Sequence, residues 1–454
     1  MLSRLIRTAA LASAGALCSA PAAAQTVPAD AAAVSIDPQV SRAVAAVSAE
    51  QLRADDERLV GFGTRNALSE RLQSHSRGIT AAREWIAAHF RDIAKSSGGR
   101  MTVALDDYVQ PATPRTGRPV AVASVVATLR GDDAQRGLWV MSSHYDDCNG
   151  DCKDPAGDAP GADDNGSAVS AVLEAARAMA PFHFRATIAF VCFDGEDQGL
   201  WGSEHYAKTL AARGAHVEGN LNDDIIGASV AHDGRSVADE VRLFSEALPL
   251  GAVPRTVDLI GTENDSPSRE LARAVRGIDA AYVPAVRDEL IYRADRFLRG
   301  GDQESFTAVG YPAVRFVEGT ENFDHQHQDV RVQNGMQFGD LSRFLDFDYL
   351  AHVTQLNVAA LGSLALAPAA PVVTVAAKKL AYDTTLAWKL VPDATSYEVL
   401  WRRTDEPYWT HARNVGNVPT ATLALSKDDW LFGVRSVDAG GHASVAAFPS
   451  PLLR

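Results

Sequence analysis

The sequence predicts an α/β fold, in which helices cover both faces of a mostly parallel mixed sheet, followed by a small all-β sandwich. Over the first three quarters of the chain, apolar strand-like runs alternate with helical patterns, which is typical of a central sheet between helical layers. Beyond residue 371, short runs rich in β-branched and aromatic residues recur about every 8–12 residues, the spacing of a β-sandwich. The chain has 454 residues, of which 46% are hydrophobic and 22% are charged. These values exclude collagen-like, coiled-coil and disordered classes and allow more than one domain.

The charge balance argues against nucleic acid as a partner. Lys and Arg number 43, Asp and Glu number 57, and the formal net charge is −14. A phosphate backbone would be repelled by such a chain. Carboxylates are also metal ligands, so the same composition is compatible with a metal enzyme.

Residues 1–24 have the three-part organisation of a secretory signal peptide. Arg4 and Arg7 form a basic start, an apolar run covers 8–20, and small residues at 21–24 offer a cleavage site. The apolar run is too short to span a bilayer of ~30 Å, and no later stretch is long and apolar enough. We therefore expect an exported protein, periplasmic or secreted, with no transmembrane segment in the mature chain.

The following elements build one large domain over 51–364. Residues 25–50 are rich in Ala and Val and indicate a linker or a loose helix, and the pattern becomes helical over 51–97. Continuous apolar runs bounded by charge predict buried strands, and an Ala/Leu/Glu-rich run over 167–180 predicts a helix. The predicted strands are 121–129, 138–141, 186–193, 224–230 and 313–317.

A second domain is expected after a Pro/Ala linker at 365–371. Its predicted strands are 372–375, 385–388, 396–402, 421–425 and 430–437. With Trp388, Tyr397, Trp401 and Trp430, and an ending at 432–444 that looks like a last hairpin, residues 372–454 resemble a fibronectin type III domain. Such a module could bind a surface or a protein partner.

Three cysteines remain after the predicted signal peptide. Cys148 and Cys152 lie four residues apart in a Gly/Asp-rich loop and could form a disulfide in an exported protein, although a reduced pair is the alternative. Cys192 lies in an apolar run and is expected to be a buried, inert thiol.

Five short segments contain the residues that could bind a metal or take part in catalysis. Taken alone, each has an ordinary explanation: a hydrogen-bonded His at a strand end, a helix N-cap, or surface charge. Their order and spacing make these explanations improbable for the whole set. The segments are 142–146 (SSHYD), 161–167 (GADDNGS), 194–203 (DGEDQGLWGS), 222–227 (NDDIIG) and 322–329 (NFDHQHQD).

These segments predict a centre for two zinc ions. Ligands in open α/β sheets meet beyond the carboxyl ends of the strands. Zinc accepts His nitrogen and carboxylate oxygen, and a catalytic site keeps one position open for water. Two neighbouring metals need a bridging carboxylate. The sequence does not exclude other divalent transition metals.

In order and spacing, residues 55–362 resemble the M28 peptidases, the co-catalytic zinc aminopeptidases and their relatives. The resemblance implies an aminopeptidase-like fold and a role for each matched residue. His144 and Asp224 would bind one zinc, with Asp146 orienting the ring of His144. Asp197 and His325 would bind the other zinc, with His327 as the alternative to His325. Asp164, chosen over Asp163 from the family's Gly-Ala-x-Asp pattern, would bridge both ions, and Glu196 would be the general base.

Two positions depart from the family pattern. Asp197 stands where the family usually has Glu, so its carboxylate is one methylene shorter, and Gln303 stands where the family usually has His. Both changes keep polar groups at the site but alter their reach.

The predicted activity is zinc-dependent removal of N-terminal residues from a peptide or aminoacyl substrate. A glutaminyl cyclase is one alternative, but that family has a long insertion that is missing between Glu196 and Ser203. A carboxypeptidase or dipeptidase is a second alternative, for which no Arg cluster is evident. A non-catalytic binding protein is the third, and the retained ionisable residues argue against it.

Overall fold

The computed structural model describes residues 34–72, 74–248, 259–378 and 380–452. The predicted signal peptide lies outside the described residues. Eight α-helices occur in the described ranges: α1 (Pro38–Ala45), α2 (Ala49–Val60), α3 (Ile79–Ala94), α4 (Ala168–Met179), α5 (Trp201–Ala212), α6 (Pro267–Tyr282), α7 (Gln303–Thr307) and α8 (Phe347–Leu366). Short 3-10 helices lie at Ala67–Leu72, Lys95–Ser97 and Ser342–Phe344, and a π-helical turn at Ala162–Ser167.

The large domain is built on an eight-stranded mixed sheet. Its strands are β1 (Met101–Gln110), β2 (Val120–Leu129), β3 (Leu138–His144), β4 (Thr187–Phe193), β5 (Val217–Asp223), β6 (Glu240–Ser245), β7 (Arg287–Ile291) and β8 (Ala313–Glu318). The order across the sheet is β1-β2-β4-β3-β5-β8-β6-β7. The four central strands β4, β3, β5 and β8 are mutually parallel, so their carboxyl ends lie at one edge.

Helices cover both faces of this sheet, and the predicted fold class is confirmed. Helices α3, α4, α6 and α8 share the larger core with one face, and α1 packs on α8. Helices α5 and α7 cover the other face through a smaller core. Runs such as Thr187–Phe193 are continuously apolar because both of their faces are covered.

The C-terminal unit is a small sandwich of antiparallel character. One sheet has the order β15-β12-β11-β17, and the other has the order β14-β13-β16. The rings of Trp388 and Tyr397 pack 5.3 Å apart in the core between them. The strands are β11 (Val373–Ala376), β12 (Thr384–Trp388), β13 (Ser396–Arg403), β14 (His411–Gly416), β15 (Thr420–Leu423), β16 (Trp430–Val437) and β17 (Ser450–Leu452). A separate two-stranded sheet, β9 (Arg331–Gln333) with β10 (Met336–Phe338), belongs to the large domain.

The C-terminal unit docks on helix α6 through the hairpin between β13 and β14. Arg402 pairs with Asp265, and the indole N–H of Trp409 donates to Glu270 Oε2 at 2.8 Å. Arg273 of α6 pairs with Glu270 and donates to the carbonyl of Pro407. Buried charges of both signs therefore meet at this contact.

The first described helix is also fastened to the C-terminal unit. Asp37 caps α1 by accepting from the backbone N–H groups of Gln39 and Val40. Its other carboxylate oxygen lies 3.1 Å from Nε2 of His442, in the last hairpin of the chain.

Two local expectations differ from the structure. A strand was predicted over 224–230, but the strand is β5 (Val217–Asp223) and 224–230 is irregular. Sequence patterning favoured the apolar Ile225-Ile226 pair, whereas the Gly- and Asn-containing run before it lies in the centre of the sheet. Helix α8 continues to Leu366, two residues into the expected linker. For residues 25–50 the expectation was a linker or a loose helix, and the described part contains α1 and the first residues of α2.

Among the described residues, no helix has both the length and the apolar character that crossing a membrane requires.

Candidate metal centre

The cluster forms where three adjacent parallel strands end. His144 is the last residue of β3, Glu196 and Asp197 follow β4, and Asp224 follows β5. Because β3 lies between β4 and β5, the three ends deliver their side chains to one point of the sheet edge. The ends of these three strands therefore determine which polar residues meet.

Asp164 lies between two imidazole rings. Its Oδ1 atom is 3.3 Å from Nε2 of His144, and its Oδ2 atom is 2.9 Å from Nε2 of His327. The backbone N–H groups of Asp163 and Asp164 donate to the carboxylate of Asp340, each at 2.8 Å. Asp163 itself accepts from the N–H of Gly227, so its side chain is engaged elsewhere. The two carboxylate oxygens of Asp164 therefore face two different imidazole rings.

Each imidazole has a second carboxylate beside it. Oδ1 of Asp224 lies 3.5 Å from Nε2 of His144, and Oδ1 of Asp197 lies 3.2 Å from Nε2 of His327. The cluster thus divides into two halves, one with His144 and Asp224 and one with His327 and Asp197, joined by Asp164. Each half offers one nitrogen and two carboxylates.

Glu196 lies beside the first half of the cluster. One carboxylate oxygen of Glu196 is within 4.8 Å of the ligand atoms of His144 and Asp224. Burial raises the pKa of Glu196 well above its usual range, and the neighbouring Asp224 and Asp197 carboxylates add to this effect, although His144 opposes it. A glutamate with a raised pKa has the affinity for protons that a general base needs.

Asp146 fixes the turn that carries Glu196 and Asp197. Its two carboxylate oxygens accept from the backbone N–H of Glu196 at 3.0 Å and from that of Asp197 at 3.2 Å. The Nδ1 atom of His144 is 3.6 Å from the Asp146 carboxylate but 3.1 Å from the Asp146 carbonyl oxygen. The partner that lies closest to the His144 ring is therefore the backbone carbonyl of Asp146. The side chain of Asp146 instead orders the loop that follows β4.

The buried carboxylates of the cluster favour the binding of a cation. Burial lowers the pKa of His144, but Asp224 and Glu196 outweigh this effect and place it well above its ordinary value. Asp197 and then Asp164 raise the pKa of His327 to about 12, against the effect of burial. Burial would raise the pKa of Asp164, yet His327 and His144 hold it well below its usual range. Without a metal the rings hold protons against the carboxylates, and metal binding displaces such protons.

The donor set fits zinc. Oδ2 of Asp197 and Oδ1 of Asp224 are buried and have no hydrogen-bond partner among the described residues. Buried carboxylate oxygens without partners are costly unless something else satisfies them, such as an ion. Imidazole nitrogen together with carboxylate oxygen is a zinc donor set.

The structure does not bring His325 into the cluster. Its ring stacks on Phe344 with centroids 3.6 Å apart, and its backbone N–H donates to the carbonyl of Asn322. His327, the alternative, lies between Asp164 and Asp197 instead. The two histidines share one loop, and the aromatic surface of Phe344 holds the first of them away. We therefore replace His325 with His327 in the ligand set.

Several supporting residues were not assigned from the sequence. Arg315 on β8 is fully buried and pairs with Oδ2 of Asp224 at 2.7 Å and with Asp295 at 2.6 Å. Gln303, which stands where the family usually has His, donates its side-chain N–H to the same Asp295 oxygen at 2.6 Å. A buried Arg within an apolar strand run is a sequence signal that would have found Arg315.

Asp302 and Asp340 are two further buried acids near the cluster. Burial raises the pKa of Asp302 to about 7, with His144 opposing the shift. Asp340 supports the backbone at Asp163 and Asp164, but it belongs to none of the five segments singled out in the sequence and was therefore not predicted.

Known proteins resemble this chain in both sequence and fold. Residues 124–335 match the family model of peptidase family M28. A probable zinc metalloprotease from Leptosphaeria maculans is 44% identical over 420 residues, which cover 91% of this chain and 97% of that protein.

Two solved structures show the same fold at low sequence identity. LapA of Legionella pneumophila has a TM-score of 0.54 and 19% identity, covering 74% of this chain and 78% of that one. An aminopeptidase from Aneurinibacillus sp. strain AM-1 has a TM-score of 0.50 and 13% identity, covering 71% and 95%. From its match over nearly its whole length to a zinc metalloprotease, and from the family model over the strands that carry the cluster, this chain belongs to peptidase family M28 and is one of its zinc metalloproteases.

Proposed function

We propose that this protein is an exported aminopeptidase that uses two zinc ions to remove N-terminal residues from peptides. The observation that carries the proposal is the position of Asp164, whose two oxygens face His144 and His327 separately. A carboxylate in this position can join two metal ions, with Asp224 completing the first half and Asp197 the second.

Bound zinc would lower the pKa of a water molecule and polarise the scissile carbonyl. Glu196 would act as the general base, taking a proton from the attacking water and giving it to the leaving amine. The carboxylate of Asp146 keeps Glu196 and Asp197 in separate directions, because it holds the backbone N–H group of each. Arg315 occupies Oδ2 of Asp224 and leaves Oδ1 directed at the cluster.

Charge favours an amino-terminal over a carboxy-terminal substrate. Three described guanidinium groups near Asp224 are already paired: Arg315 with Asp224 and Asp295, and Arg296 and Arg299 with Glu321. A carboxypeptidase would need such a group for the substrate carboxylate.

Export is supported by the signal-peptide pattern of residues 1–24 and by the disulfide between Cys148 and Cys152. The C-terminal sandwich, with its four-stranded and three-stranded sheets, is proposed as a fibronectin type III-like module. A surface or protein partner for it belongs to the same proposal.

The test is hydrolysis of an aminoacyl reporter by the purified protein, combined with metal analysis. We expect two zinc ions per chain, loss of hydrolysis on chelation, and its return when zinc is restored. Glu196→Gln should lower kcat by about 10²–10⁴-fold, the range for a general base, with the metal content unchanged. Glu204→Gln is the matched control, since Glu204 is an exposed residue of α5.

Product analysis separates the alternatives. Release of the first residue from a peptide supports the aminopeptidase, and release of the last residue would replace it with a carboxypeptidase. Conversion of an N-terminal glutaminyl peptide to its cyclised form without hydrolysis would favour a glutaminyl cyclase. Full activity of Glu196→Gln would show that Glu196 is not the general base and would contradict the proposed mechanism.

A further inference from the structure

A disulfide lies directly beside the second half of the cluster. Cys148 and Cys152 are joined, and Sγ of Cys148 is 3.8 Å from Nδ1 of His327. The other nitrogen of the same ring faces Asp164 and Asp197. Cys148 is buried and Cys152 is partly exposed, so a reductant can approach the bond from the side of Cys152.

Four residues around this bond form a second, overlapping set of ligands. One atom from each of Cys148, Cys152, Asp197 and His327 lies within 4.8 Å of all the others. Zinc bonds of about 2.0–2.3 Å give tetrahedral edges of roughly 3.3–3.8 Å, so small side-chain rotations would bring the four atoms onto one ion. In the oxidised protein the two sulfurs are bonded to each other and cannot act as thiolate ligands.

The two sets differ in what they leave free. A catalytic zinc site has an open position for water, whereas a site with four protein ligands, two of them thiolates, is closed and structural in character. Thiolates are also softer ligands and hold zinc strongly. The redox state of Cys148 and Cys152 therefore determines which set can form.

We propose that Cys148 and Cys152 form a redox-controlled zinc site with Asp197 and His327, which closes the second metal position when the disulfide is reduced. The proposal rests on the proposed function, because Asp197 and His327 are ligands in both sets. A dithiol reductant breaks the S–S bond, gives its two protons to the cysteine sulfurs, and is itself oxidised to a disulfide. Zinc then displaces both thiol protons to solvent, and its open position is lost.

Cys192 provides a control within the same chain. It is a buried free thiol on β4, and burial raises its pKa to about 12. It is not among the four residues of the proposed site, so its replacement should leave the redox response unchanged.

The experiment uses the full-length processed protein loaded with Co²⁺, before and after treatment with a water-soluble phosphine. We expect a thiolate-to-cobalt charge-transfer absorption only after reduction, and slower removal of the metal by a chelator. Reporter hydrolysis by the zinc-loaded protein should fall about 10-fold or more on reduction, because the water position is closed, and return on reoxidation. Cys192→Ser should behave as the wild type.

The double variant Cys148→Ser/Cys152→Ser should show no thiolate band, and its hydrolysis should not respond to phosphine. Cys152→Ser leaves the Cys148 thiol free without any reductant and should show a band of its own. If circular dichroism shows that reduction unfolds the wild type, the presence or absence of this band in Cys152→Ser tests whether Cys148 can bind the metal. A folded, reduced wild type without the band would overturn the proposal, as would a band that persists in the double variant or hydrolysis unchanged by reduction. If neither redox state hydrolyses the reporter, the proposed function fails, while the cobalt band still tests the site.

Discussion

His325 and His327 are two residues apart, yet their rings have different surroundings. His325 stacks on Phe344, whereas His327 contacts Asp164 and Asp197. At the scale of single residues, this pair gives the sharpest test of the metal centre, because one histidine is the control for the other.

His327→Ala should lower zinc affinity by at least about 10–100-fold, since even partners of ligands have effects of that size. His325→Ala should leave zinc affinity within error and should affect only the packing against Phe344. Competition with a chromogenic chelator measures both. Equal zinc affinity of the two variants would place the ligand elsewhere in the loop.

Arg315 is the buried cation that supports Asp224. Removing it leaves the carboxylates of Asp224 and Asp295 without their shared partner, so Arg315→Met should cost about 3–5 kcal/mol of stability. Arg287→Met is the matched control, because Arg287 is exposed and its partner Glu240 is partly exposed. This replacement should cost less than about 1 kcal/mol of stability. Urea denaturation of the metal-free proteins measures the difference, and similar losses for the two variants would contradict the assignment.

The sequence could predict the residues at strand ends but not the choice within a loop. His144 ends an apolar run and Glu196 follows one, and those runs determine the edge at which they emerge. Asp224 follows β5, which is not apolar, so its place was indicated only by its match to the family motif. The loop over 322–329 has no such pattern, so its two histidines could not be separated. Arg315 stands out in the sequence as a charge inside an apolar strand run, but its partners come from distant segments, so the sequence does not show what it pairs with.

Helix α6 and strand β7 contain a pair of buried acids away from the cluster. Burial raises the pKa of Asp279 well above its usual range, and the neighbouring Asp288 adds to the shift. Burial raises the pKa of Asp288 to about 6. The folded pair therefore holds a proton that the unfolded chain has released at neutral pH.

Stability should consequently fall as pH rises from about 4 through 6 and beyond, because the folded state binds more protons there than the unfolded state. Asp279→Asn removes one of the two acids and should flatten this slope, while the exposed Asp405→Asn should leave it unchanged. Chemical denaturation at pH 5 and pH 8 measures the slope. An unaltered slope in Asp279→Asn would mean that the pair does not share a proton.

Elements were predictable where burial follows a simple period. Strand β4 and helix α4 were expected within a residue or two of their observed bounds, because one is uniformly apolar and the other has a clear helical pattern. Strand β5 was missed, because its Gly, Asn and Asp residues are stabilised by neighbours on both sides rather than by apolar character. Strand β14 was missed because none of its residues is fully buried, and β17 was missed because it has only three residues.

At the scale of the whole molecule, the contact between α6 and the β13–β14 hairpin joins the two units. Trp409 contributes a hydrogen bond to Glu270, and its ring lies under the guanidinium groups of Arg273 and Arg402. A tryptophan in such a contact has the character of an interface hot spot.

Trp409→Ala should weaken the contact by about 2 kcal/mol or more and separate the thermal unfolding of the sandwich from that of the large domain. The wild type should unfold in one calorimetric transition. Tyr382→Ala, at a position 96% exposed in the sandwich, should keep that single transition. Two transitions in the wild type would show that the contact does not couple the units.

The ion pair between Asp37 and His442 spans 405 positions along the chain. During synthesis Asp37 is made 405 residues before His442. The residue that caps helix α1 therefore has no His442 partner until most of the sandwich has been synthesised. The large domain therefore acquires this fastening only after most of the sandwich has been made, and a chain that stops before His442 lacks it.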